Sequence, residues 1–172
     1  TYVFDLGYYD YGWWASIDEA VRQAAKRLAN AGARVEERRP PGTDQALDLL
    51  FTILGGDGGY AVQRILTDCG TTQVAPYLSG ALGDPARFEK PALSHRQFAD
   101  FFRQWHEYKS RMTQFFAGYD VMLCPASAIA APMHDADMKS LEATMLSYTA
   151  PFSITGWPVA VVRVGTSEEG LP

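Results

Sequence analysis

The sequence predicts an α/β fold, part of a β-sheet covered by helices on both faces, and three observations predict it. Val159-Ala160-Val161-Val162-Arg163-Val164 is a β-branched run with a single charge, the pattern of a central strand buried on both sides. The residues before Pro40 read as strand, helix and strand, a βαβ unit whose strands are expected to be parallel with a right-handed crossover. A long helix beginning after Ser94 carries a face of aromatic residues, which supplies buried area between helix and sheet.

Taken in order, Tyr2 to Tyr8 mixes aromatic and branched residues as a strand does, and Asp10-Tyr11-Gly12 breaks it. Ser16 and Glu19 have capping-box spacing, and Ile17, Ala20, Val21, Ala24, Ala25 and Leu28 then recur on one helical face. Asn30-Ala31-Gly32 supplies the left-handed end of that helix, and Ala33 to Arg38 reads as the next strand. Ala46 to Leu54 fits either a buried helix or, at Phe51 to Leu54, a short strand. Gly55-Gly56-Asp57-Gly58-Gly59-Tyr60-Ala61 satisfies the dinucleotide pattern G-x-G-x-x-[GA], but Asp84, the acidic residue at the right distance, sits in loop chemistry with no strand to present it. A connection between helices is the expectation. Tyr77 to Pro91 reads as a surface loop. Ser94 and Gln97 make another capping box, followed by Phe98, Phe101, Phe102, Trp105, Tyr108, Met112, Phe115 and Phe116 at helical spacing; core packing is the expected role, an acyl-binding wall the alternative. After Gly118, Asp120 to Cys124 is expected to be a strand, Pro125 to Pro132 a loop, and Lys139 to Leu146 a short helix. Pro151, Gly156 and Pro158 fix the backbone ahead of the valine run without regular structure.

With 172 residues, 47% of them hydrophobic, the chain has material for a substantial core. A net charge of -5 with both signs interspersed argues against a nucleic-acid surface, which wants clustered Lys and Arg. No apolar run approaches the roughly 18 residues that cross a bilayer. The start carries no secretory leader pattern, and a chain opening on Thr-Tyr-Val-Phe is expected to lack its true beginning. Cys69 and Cys124 match no metal or redox spacing, which reads as two reduced thiols of a cytoplasmic protein.

Ligands of open α/β sheets bind outside the C-terminal ends of strands, which points to the loop from Cys124 to Pro132. Cys124 as a nucleophile needs a lowered pKa and a base, for which His134 and His106 are the candidates; a small buried hydrophobe is the expected reading. His134-Asp135-Ala136-Asp137 is too thin a ligand set for a metal, and an acidic solvated turn is expected there. No G-x-S-x-G, H-E-x-x-H or Walker loop occurs.

Tyr148 to Phe152, Thr155-Gly156-Trp157-Pro158, the valine run and Ser167-Glu168-Glu169-Gly170-Leu171-Pro172 together resemble the C-terminal core of the amidase signature family. Tyr119-Asp120-Val121-Met122-Leu123-Cys124-Pro125 with Ala131-Pro132 is similar to that family's strand and proline-rich loop, and Leu6 to Glu37 to its βαβ module. Thr43 to Leu93 carries no such likeness. The resemblance implies the amidase signature fold, incomplete here: part of a mixed β-sheet covered by helices on both faces, in a single partial domain spanning 1–172. Residues 1–38 would form its βαβ unit, 43–117 a mainly helical part, and 119–172 strands and pocket loops. It implies hydrolysis of carboxamide C–N bonds by a serine nucleophile, a bridging serine on a cis peptide and a lysine base, all from a segment upstream of the part resembled. Lys26, Lys90, Lys109 and Lys139 are the only lysines, no two serines share a glycine-rich run, and no catalytic residue transfers. The chain is therefore expected to hold scaffold and part of the pocket, inactive by itself, with Ala126, Ser127, Ile129, Phe152, Thr155 and Trp157 approaching the acyl side of a small-molecule amide. No cofactor or metal is implied. A homodimer is left open as the assembly. The alternatives are a non-catalytic α/β small-molecule binding module and a transamidating subunit of the same family, served by a partner that delivers ammonia.

Overall fold

Three strands of two residues each lie side by side in the computed structural model, which describes the backbone of residues 2–3, 14–74, 92–167 and 170–171. β1 (Tyr2–Val3) is in the middle, paired in parallel with β2 (Glu36–Glu37) and with β3 (Met122–Leu123). Between β1 and β2 runs α1 (Trp14–Asn30), which buries Val21 and Ala25 with Val35 and Leu123 packed against them. The expected Ser16/Glu19 capping box falls at the start of α1, where Ser16 lies outside the residues whose side chains are described. The far end of α1 follows the expected left-handed pattern: Gly32 has φ 98°, and Ala33 N–H reaches back to Leu28 O at 3.0 Å. Arg22 pins α1 to β2, donating to Asp18 at 2.8 Å and through both terminal nitrogens to Glu37 at 2.8 and 3.1 Å. That fork holds the Glu37 carboxyl below its ordinary range.

Helices carry the rest. A 3-10 turn (Thr43–Gln45) leads into α2 (Ala46–Gly55), which settles the helix-or-strand ambiguity of 46–54 in favour of helix. α3 (Tyr60–Asp68) follows across the glycine run, where Gly58 and Gly59 have φ of 69° and 83°. Asp57 makes that run a helix start: its two oxygens accept from Gly59 N and Ala61 N, both at 2.8 Å. With a helix before it and no strand, the run is a helix–helix connection and not a phosphate loop. α4 (His95–Phe116) carries the Ser94/Gln97 capping box in full, Gln97 N–H to Ser94 Oγ at 3.3 Å and Ser94 N–H to Gln97 Oε1 at 2.9 Å. α5 (Met138–Leu146) and the single turn α6 (Ala150–Ser153) complete the order.

The main core forms where α4 crosses α2 and α6. Ala46, Leu49, Tyr108, Met112, Ala150, Phe152 and Ile154 are buried together, and Trp105 and Phe101 pack against them. The aromatic stripe of α4 is thus divided: Tyr108 and Met112 have no exposed surface, whereas Phe98 and Phe102 are about half exposed.

The expected mixed sheet covered by helices on both faces is not what this chain forms. The described residues are mostly helical, and their only ladder is the parallel one of two-residue strands. Val159 to Val164 is not a central strand: the segment is irregular, and Val159, Val161 and Val162 are 70%, 79% and 67% exposed. β-branched residues suit a pleated, covered surface, but a strand also needs neighbours to take its backbone hydrogen bonds, and no described ladder includes this run. The stretch expected to lack regular structure before it contains α6. Residues 4–8 of the first expected strand and the loop Tyr77 to Pro91 lie outside the described residues.

Candidate functional site

β3 stops at Leu123, and the chain leaves its C-terminal end through Cys124 into the loop that ends at Pro132. Pro125 is buried, and the chain bends at Ala126. Ser127 Oγ accepts from Ile129 N–H at 3.3 Å, a local side-chain turn that presses Ala128 inward. Ala128 is buried beside Tyr148, with Phe115, Tyr119, Met122 and Cys124 against the pair. Above it Ala126 is exposed, while Ser127 and Ile129 are half-buried.

The second expected stretch, Phe152 to Trp157, is built differently. Phe152 belongs to the main core. Thr155 is buried with its hydroxyl spent twice, donating to Phe152 O at 2.7 Å and accepting from Trp157 N–H at 3.3 Å. Gly156, at φ 76°, takes the left-handed conformation that stops α6 and releases Trp157 outward. The Trp157 ring is half-buried, 5.0 Å from that of Phe116.

Met122 and Cys124 pack against both hydrophobic clusters, so the loop and the Phe152–Trp157 stretch rest on the same two side chains. Of the six residues named from the sequence, Ala126, Ser127, Ile129 and Trp157 retain surface, and Phe152 and Thr155 are interior. None of the six lines the cleft of about 380 Å³ between α2 and α4, bounded by Gln45, Asp48, Gln97, Asp100 and Gln104. Nor do they line the open groove of about 490 Å³ along the outer face of α4, past Phe102, Arg103 and His106.

Burial pushes the Cys124 thiol up to about 11, the opposite of what a nucleophile needs. His106 is exposed on α4, its ring 4.4 Å from Phe102, and His134 is exposed as well. The carbonyl of Asp137 accepts from Ser140 N–H at 3.1 Å and Ser140 Oγ at 2.8 Å, which starts α5. Among the described residues no group of three or more His, Cys, Asp or Glu side chains stands together as a metal site. No described helix is long and apolar enough to cross a membrane.

Two residues of the α4 stripe, read from the sequence as core packing or as an acyl-binding wall, reach the backbone of the Phe152–Trp157 region through their polar tips. Trp105 Nε1 donates to Ile154 O at 2.7 Å, and the buried Tyr108 hydroxyl donates to Pro151 O at 3.0 Å. Their polar tips were the available signal, because a buried Tyr or Trp generally finds an acceptor.

A family model described as Amidase matches residues 3–172. The chain belongs to the amidase family. It is 27% identical to fatty acid amide hydrolase 1 of Caenorhabditis elegans over 92% of this chain and 32% of that protein. The amidase chain thus spans about a third of the length of that relative. What the described residues of this amidase-family chain bring together is the loop after β3, the α6 turn, and the helix face behind both.

Proposed function

We propose that this chain supplies scaffold and part of the acyl-side pocket of an enzyme that hydrolyses linear carboxamide C–N bonds. Ala126, Ser127, Ile129 and Trp157 would meet the substrate, and Phe152 and Thr155 would hold the stretch that carries Trp157. The observation that carries this reading is the family match along nearly the whole chain, and the shared footing of both pocket stretches on Met122 and Cys124 supports it. The reaction proceeds through a serine acyl-enzyme, with attack on the amide carbonyl, an oxyanion held by backbone N–H groups, release of the amine and attack by water. Its serine, bridging serine and lysine come from outside these residues, so the isolated chain does not turn over amides. The similarity to a fatty acid amide hydrolase favours acyl groups with substantial apolar surface, for which a half-buried indole is a fitting wall.

Kinetics of the full gene product with Ala126→Leu and Trp157→Ala test this. Crowding the exposed Ala126 or removing the indole raises KM for apolar acyl amides at least fivefold. Unchanged KM in both variants removes these residues from the pocket.

A further inference from the structure

α6 is one turn long, and a single helical turn does not hold itself, because nucleation fixes several dihedrals for one hydrogen bond. Ala150, Pro151, Phe152, Ile154 and Thr155 are nonetheless all buried. Three carbonyls of this turn are taken by side chains. Phe152 O accepts from Thr155 within the turn at 2.7 Å; Pro151 O accepts from Tyr108 at 3.0 Å and Ile154 O from Trp105 at 2.7 Å. The last two donors stand three residues apart on α4, on the same helix face. Trp105 is itself fixed, its ring stacked on Phe101 at 6.2 Å with the Lys109 ammonium 5.3 Å from its centre. Further along α4, Phe116 backs Trp157.

We infer that Trp105 and Tyr108 are positioning residues for acyl selectivity: by holding the carbonyls of Pro151 and Ile154 they aim Trp157 at the acyl group without touching it. Apolar contact with α4 could fix the depth of the turn, but only directed bonds to two carbonyls fix its rotation about its own axis, and rotation decides where residue 157 points. The inference rests on the pocket reading above and names the substrate class it governs, amides with an acyl group large enough to reach the indole.

The test uses the full gene product with Trp105→Phe and Tyr108→Phe, each keeping a ring and removing one donor, and Val21→Ala as a control that loosens the separate α1 core. For an aryl or long-chain primary amide, KM rises at least fivefold in each donor variant while kcat stays within twofold; for acetamide neither constant moves beyond twofold. Val21→Ala shifts neither ratio. In parallel, hydrogen exchange at the amides of 152–155 quickens at least tenfold in the donor variants and not in the control. Equal losses for both amides, or the same selectivity change in Val21→Ala, overturn the inference; so does unchanged exchange at 152–155. A wild-type product that hydrolyses no amide defeats the pocket reading and its selectivity, while the exchange measurement still decides whether these donors hold the turn.

Discussion

Cys124 gives a sharp test of how the two clusters meet, because its proton reports on the space between them. Burial raises its thiol from an ordinary value of 9.0 to about 11. The unfolded chain therefore gives up the proton first, and between those values it binds fewer protons than the native state. Stability is fully present below pH 9 and falls as pH rises through the native value. At about 1.4 kcal/mol per pH unit of separation, the loss reaches roughly 2–3 kcal/mol by pH 11. Tyr108 adds its own decline further into alkali, since burial raises its phenol as well. The contribution of Cys124 is isolated by comparing wild type with Cys124→Ala in urea at intervals from pH 7 to 11. Near neutrality the variant is less stable by the packing of one thiol; with rising pH the two curves converge, and the gap shrinks by roughly 2 kcal/mol. Parallel curves would mean that Cys124 titrates as if in water and that the clusters do not close around it.

Other substitutions probe other parts of the account by urea or thermal unfolding. At Gly56 a Cβ would sit 2.6 Å from Thr52 O and 3.1 Å from Leu93 Cδ1, so Gly56→Ala costs about 1–3 kcal/mol. Gly55→Ala meets nothing within 4 Å at the end of α2 and is neutral or stabilising by up to about 1 kcal/mol. Arg22→Ala costs less than about 1 kcal/mol, since the Arg22 and Glu37 side chains are 39% and 49% exposed and solvent screens the pair. That cost is present above the ordinary Glu37 value of 4.5 and fades as acid protonates the carboxylate. Val161→Lys changes stability by less than about 0.5 kcal/mol if the valine run is exposed, whereas a strand covered on both faces would lose several times that.

Local signals were readable where chemistry and geometry are both local. The Ser94/Gln97 box, the Gly32 helix end and the pattern of α4 require only neighbours in sequence, and each is formed. The valine run failed as a strand because composition states what a segment suits, and pairing depends on strands elsewhere in space. For the candidate site, Phe152 and Thr155 were chosen by resemblance to a family and lie in the interior. Trp105 and Tyr108 were read as part of the aromatic stripe, but their donor role was not, because helical periodicity counts their rings and ignores the polar tips that bond to Ile154 O and Pro151 O. Amidase membership was legible in the quoted segments on either side of the middle, and the family match runs through the middle as well, over residues 3–172.

Ammonia release from primary aliphatic and aryl carboxamides, measured side by side for the full gene product and for this 172-residue chain, tests the central claim most directly. Turnover by the full product, with none by the chain alone, is the expected result. No turnover by either, or turnover by the chain alone that is abolished by changing one of its own residues, would contradict it.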